Sequence, residues 1–126
     1  MICLEGKTIG LRNSELLIII PAYNESGNIE KTIKMIEEHT PEFDYVIIND
    51  CSTDQTLEIC RNNNFNVIDL PINLGIGGAV QTGYQYAVKN GYQYAVQVDG
   101  DGQHNPEFIR KMLQVLQEKN VNRVIG

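Results

Sequence analysis

The sequence predicts an α/β domain: a mostly parallel sheet with helices on both faces. Short, nearly continuous apolar runs alternate with segments of helical periodicity along the chain. The runs are rich in Ile, Val and Leu and lack polar alternation, as strands buried on both faces do. Between a run and the next helical pattern lie clusters of Asn, Asp, Gly and Pro, which punctuate strand-to-helix crossovers.

The first fifteen residues, MICLEGKTIGLRNSE, read as an N-terminal extension, and residues 16–126 as the domain proper. LLIII, Leu16 to Ile20, is a buried strand closed by Pro21, which has no backbone donor. SGNIEKTIKMIEEH places Ile29, Ile33 and Ile36 at helical spacing, with Ser26 or Asn28 as N-cap. YVIIND is a second strand. The helix in CSTDQTLEICRNNN is expected to open on a capping box of Ser52 and Gln55 and to stop at Asn62–Asn64. FNVIDL is a third strand. GGAVQTGYQYAVKNG forms a helix closed by Asn90 and Gly91, and YQYAVQV a fourth strand. Pro106 suits the first turn of the helix PEFIRKMLQVLQEK, and NRVIG starts one more strand. That strand-like ending has nothing after it to cover a sheet, so the chain reads as the front half of a longer protein, cut short at its C-terminus. The hexapeptide GYQYAV occurs twice, from Gly83 and from Gly91, too closely spaced for a repeat architecture.

At 126 residues, there is room for one domain with a core and not for two. A hydrophobic share of 42% with 21% charged residues is the mix of a globular chain. The formal charge of −6 and pI of about 4.8 leave no general attraction for nucleic acid or anionic lipid. Any bound anion must therefore be held by backbone amides or a cation. Cys3, Cys51 and Cys60 form no CxxC pair and no zinc pattern with His39 and His104, and read as free thiols of a reducing cytosol. The longest apolar run falls far short of the ~20 residues of a membrane helix, and the N-terminus lacks the layout of a signal peptide. The expected location is cytoplasmic, or the cytoplasmic face of a membrane in a longer parent.

In an open parallel sheet, ligands gather beyond the carboxyl ends of the strands. Four segments fall there: Tyr23–Glu25, Asn49–Asp50, Asn73–Gly78 and Asp99–Gln103. Turn chemistry accounts for the Gly, Asn and Asp residues, but not for carboxylates at three of the four ends. Asp99 and Asp101 are two residues apart, and in extended chain such side chains point the same way. With Gln103 they could ligate Mg²⁺ or Mn²⁺ through oxygen and neutralise a diphosphate; two successive Asp-Gly turns are the alternative. NLGIGGAVQTG departs from the dinucleotide fingerprint, with Val80 where its last glycine would fall. This loop either lets backbone approach a phosphate at a helix N-terminus or is a plain turn. Asp50 either accepts an N–H of a nucleobase or caps a turn.

Taken together and in order, IIIPAYNE, IINDCSTDQT, NLGIGGAVQTG and VDGDGQHNPE resemble the N-terminal half of family 2 inverting glycosyltransferases, closest to the dolichyl- and polyprenyl-phosphate mannosyl- and glucosyltransferases. The resemblance runs from Leu16 to Gly126. It implies the nucleotide-binding, Rossmann-like half of the glycosyltransferase A fold. It implies a nucleotide site of Pro21, Ala22, Tyr23, Glu25, Asp50, Gly78, Asp99, Gly100 and Asp101, with Asp50 on the base. It implies a divalent cation, Mg²⁺ or Mn²⁺, on Asp99, Asp101 and Gln103. The partners implied are a GDP- or UDP-linked sugar and an acceptor glycan or lipid phosphate. The general base of that family lies beyond the region corresponding to Gly126, so no catalytic residue is assigned. The family often has Asp-Asp-Gly-Ser where this chain has Asn49-Asp50-Cys51-Ser52, so Asn49 supplies no charge and Cys51 stands in place of a turn glycine.

A catalytically incomplete nucleotide-sugar-binding module is the alternative reading. A receiver-like signalling domain is a third, disfavoured because the first strand ends in PAYNE rather than an acidic pair.

Overall fold

A computed structural model describes residues 2–3, 15–99 and 106–119. The elements are β1 (Ile2–Cys3), β2 (Leu16–Ala22), α1 (Ile29–His39), β3 (Asp44–Asn49), α2 (Thr56–Asn62), β4 (Val67–Asp69), α3 (Gly75–Lys89), β5 (Tyr94–Gln97) and α4 (Pro106–Lys119). The sheet order is β1-β5-β2-β3-β4. The four strands from β5 to β4 run parallel, while β1, from the stretch read as an extension, pairs antiparallel with β5. The strand expected in NRVIG lies outside the described residues.

Both faces are covered, as the unbroken apolar runs require. Leu16, Ile18 and Ile20 pack with Ile29, Ile33 and Ile36 of α1 and Ile109, Met112 and Leu116 of α4. Leu17 and Ile19 point the other way, onto Ala79 and Ala87 of α3. All five residues from Leu16 to Ile20 are wholly buried, because β2 lies at the centre of the sheet with helices above and below.

Two local expectations are corrected. The strand does not close at Pro21 but runs on to Ala22, paired Pro21↔Ile48 and Ala22↔Asn49. The oxygen of Ile19 accepts from Val98 on the β5 side, and that of Ala22 accepts from Asp50 on the β3 side. Pro21 has the parity of Ile19, so its missing N–H faces β5: the ladder with β5 ends at the pair Ile19↔Gln97, while pairing with β3 runs on to Ala22. The capping box of Ser52 and Gln55 does not form, since α2 starts at Thr56 with no side-chain bond from its N-cap, Gln55. Asp54 supplies the carboxylate instead, accepting the N–H of Thr56 at 2.9 Å. Asn28 holds the N-cap position of α1, also without a side-chain cap bond. Asn90 and Gly91 close α3 as expected, Gly91 in the left-handed region at φ +79°.

Candidate functional site

The chain steps from β2 to β3 to β4 in one direction, then returns to place β5 on the other side of β2. The carboxyl ends of β2 and β5 therefore flank a switch point, where the crossovers diverge and leave a crevice. A cavity of about 290 Å³ opens there. Pro21, Ala22, Tyr23 and Glu25 from the end of β2, Asp50 from β3 and Asp99 from β5 all line it. Three separate strand ends thus converge on one volume. A larger cavity of about 460 Å³ lies where β3 begins, around Asp44, Tyr45 and Asn66; no described residue of the strand-end motifs lines it.

Sequence reasoning missed two lining residues, Ile76 and Ala79. Both lie in the first two turns of α3, Ile76 within the Asn73–Gly78 segment singled out as a whole at a strand end and Ala79 within the helix read from Gly77. Ile76 is 65% exposed, and its place in the Asn73–Gly78 strand-end segment is the signal in the sequence that could have found it. Gly78 stands in the same stretch of α3, where an added Cβ would come within 2.6 Å of the Cβ of Leu74. Among the described residues no atom outside its own stretch of helix comes within 4 Å of the corresponding position at Gly77, which leaves that side open to a ligand.

Asp50 is buried, and its Oδ1 accepts the N–H of Leu74 at 2.7 Å. Its own carbonyl accepts Asn73 Nδ2 at 3.1 Å. These bonds fix the loop entering α3 against the end of β3, and the carboxylate sits favourably near the positive end of the helix. A carboxylate has further lone pairs, so one bond does not exhaust its capacity to accept from a ligand. Asn49 is committed inward: Nδ2 donates to Asp69 Oδ1 at 2.9 Å, and Oδ1 accepts the Ser52 hydroxyl at 2.6 Å. Cys51 adopts φ +56°, the left-handed conformation a turn glycine would take, with its Sγ 3.7 Å from the carbonyl of Pro71.

Among the described residues three carboxylates, of Glu25, Asp50 and Asp99, line the cavity, and no Lys or Arg does. Asp99 is exposed, with Oδ1 accepting Gln97 Nε2 at 3.2 Å. As an oxygen donor at the crevice it fits a hard divalent cation. Gly100, Asp101, Gln103 and His104 lie outside the described residues; among the described residues no three His, Cys, Asp or Glu side chains gather as a metal cluster. Cys60 is buried, which pushes its thiol up to about 11 and keeps it protonated. No helix among the described residues is long and apolar enough to cross a membrane.

The sheet and its helices recur in solved glycosyltransferases, in agreement with the glycosyltransferase A fold that the motifs imply. S. aureus TarS 1-349 in complex with UDP-GlcNAc superposes with a TM-score of 0.67 at 27% identity, over 88% of this chain and 36% of that one. The mannosyltransferase PcManGT from Pyrobaculum calidifontis, in complex with GDP-Man and Mn²⁺, gives a TM-score of 0.70 over 94% of this chain and 36% of that one; at 18% identity this likeness concerns the fold. The UDP-N-acetylglucosamine–dolichyl-phosphate N-acetylglucosaminyltransferase of Methanococcus voltae is 33% identical over 88% of this chain and 51% of its own length. The chain spans about half the length of the curated relatives it matches. The family model for glycosyl transferase family 2 matches residues 17–126, and the chain belongs to that family.

Proposed function

We propose that this chain is the donor-binding half of a glycosyltransferase that moves a sugar from a nucleotide-diphosphate sugar to an acceptor, with inversion at the anomeric carbon. The observation that carries this reading is the cavity at the switch point, which gathers Tyr23, Glu25, Asp50 and Asp99 from three strand ends. Tyr23 and Glu25 form the wall on the β2 side, and Asp50 offers an acceptor to an N–H of the base. Asp99, with Asp101 and Gln103, would hold Mg²⁺ or Mn²⁺. When bound, the cation supplies the positive charge that a diphosphate leaving group needs and that no lining side chain among the described residues provides. The structure with GDP-Man and Mn²⁺ and the one with UDP-GlcNAc support a nucleotide-linked sugar as ligand. The acceptor read here is a polyprenyl phosphate or a growing glycan, the former supported by the dolichyl-phosphate relative. The setting is the cytoplasm or the cytoplasmic face of a membrane. No residue of this chain is assigned as general base.

Calorimetric titration with GDP-mannose, UDP-glucose and UDP-N-acetylglucosamine, in Mn²⁺ and again in EDTA, tests this directly. One donor should bind in Mn²⁺, and Asp99→Ala should weaken it by roughly a hundredfold or more, since losing even an outer-shell partner of a metal costs about 10–100-fold. Binding indifferent to EDTA would remove the cation from the reading. No heat with any donor would remove donor binding itself.

A further inference from the structure

The wall formed by Tyr23 and Glu25 lies past the last β2–β3 pair, Ala22↔Asn49, so strand pairing does not hold it. It is held by the neighbouring crossover, and Asn24 is where the two meet. Asn24 stands at φ +54°, a conformation that costs most side chains about 1–2 kcal/mol and that Asn tolerates. Its Oδ1 accepts the N–H of Thr53 at 2.8 Å, the N–H of Asp54 at 3.3 Å and the Thr53 hydroxyl at 3.3 Å. Its own N–H donates to Ser52 Oγ at 3.0 Å.

The next two residues are fastened to the same crossover. The N–H of Glu25 donates to Thr56 Oγ1 at 2.9 Å, and that of Ser26 to Asp54 Oδ2 at 3.1 Å. Ser52 passes the chain of bonds to Asn49, and Asn49 passes it to Asp69. A hydrogen-bonded line therefore crosses the carboxyl ends of β2, β3 and β4. Asn24, Thr53 and Asp54 are all exposed, so the bonds to the Asn24 amide oxygen add little to global stability. What they restrict is one short segment that faces the cavity. Asn24 is not itself among the lining residues.

We propose that Asn24 is a positioning residue for the donor pocket: its amide oxygen clamps the β2–α1 loop to the β3–α2 loop and so holds Tyr23 and Glu25 in the binding-competent wall. This role rests on the donor-binding reading above. Without the clamp the segment samples other arrangements, and apparent affinity falls with the fraction that remains competent.

Asn24→Gly keeps the left-handed backbone and removes the acceptor; Asn24→Asp keeps both. The titrant is whichever of GDP-mannose and UDP-N-acetylglucosamine the wild-type chain takes up in Mn²⁺, at a temperature where circular dichroism shows every variant folded. Asn24→Gly should bind about tenfold more weakly, for a competent fraction of about one tenth, and Asn24→Asp within about threefold of wild type. Hydrogen exchange should quicken at Glu25 and Ser26 in Asn24→Gly and stay unchanged from Leu17 to Ile20. Equal affinities for wild type and Asn24→Gly would overturn the positioning role and leave the donor reading standing. Loss of protection throughout β2 would also overturn it, by showing a purely structural residue. A wild-type chain that takes up neither donor would overturn the donor reading, and this role with it.

Discussion

At the scale of single residues, the pair Asn49–Asp69 explains why an amide stands where a carboxylate is frequent in the family. Asn49 is 2% exposed, and its Nδ2 lies 2.9 Å from Asp69 Oδ1. An aspartate at 49 would set two carboxylates against each other, one of them without access to water, and like charges at such separation resist joint ionisation. Asn49→Asp should therefore destabilise the chain by about 2 kcal/mol, the range for breaking a buried polar pair. Adding Asp69→Asn reverses donor and acceptor and should recover most of the loss. Urea midpoints of the two single variants and the double variant measure this coupling; additive losses would mean the pair is not coupled. Cys51 is the second local departure. Its φ of +56° carries strain of about 1–2 kcal/mol that glycine would not, and the Sγ contact with the Pro71 carbonyl is too weak to offset all of it.

At the scale of elements, Gly83 sets how closely α3 lies on the sheet. A Cβ there would collide with Cγ2 of Ile19, which is wholly buried and has nowhere to move. Gly83→Ala should cost about 1–3 kcal/mol from overpacking, despite the better helix propensity of alanine. A thermal melt of the variant checks the sign, since a rise in Tm would mean that α3 can lift off β2 without penalty. The same glycine shows what the sequence can and cannot disclose. GYQYAV from Gly83 is helix interior, and GYQYAV from Gly91 is a turn leading into β5. The six residues cannot distinguish these states; what precedes them can, a glycine-led helix start in one case and the Asn90 cap in the other. The main elements were legible because periodicity reports burial on one or two faces. The box at Ser52 and Gln55 misled because spacing alone does not reveal that Ser52 is claimed by Asn49 and Asn24. Pro21 misled because its effect depends on which neighbour its missing donor faces.

At the scale of the whole molecule, the switch point between β2 and β5 turns separate motifs into one site. The strand-end rule picked out Tyr23, Glu25, Asp50 and Asp99, since it needs only the order of elements. It also reached Ile76 through the Asn73–Gly78 segment without singling it out, and Ala79 required knowledge of how α3 leans over the crevice. The loops around that crevice also make the chain sensitive to acid. Asp54 joins them, accepting from Ser26 and Thr56. Desolvation pushes its carboxyl up, but the hydrogen bonds from Thr56 and Ser26 outweigh this and hold it down at about 2, below the ordinary 3.8. A carboxyl depressed in the folded state contributes stability above its unfolded pKa and loses that contribution as pH falls through the folded value. The contribution of Asp54 is therefore complete above about pH 4 and disappears toward about pH 2. Glu42, lowered by its hydrogen bond to Arg110, titrates in the same sense on the far side of the fold. Urea unfolding at a series of pH values should show the wild type losing more stability than Asp54→Asn across that interval. Parallel curves for the two proteins would mean that the exposed Asp54 network is open in solution, and that the two loops are held together by packing alone.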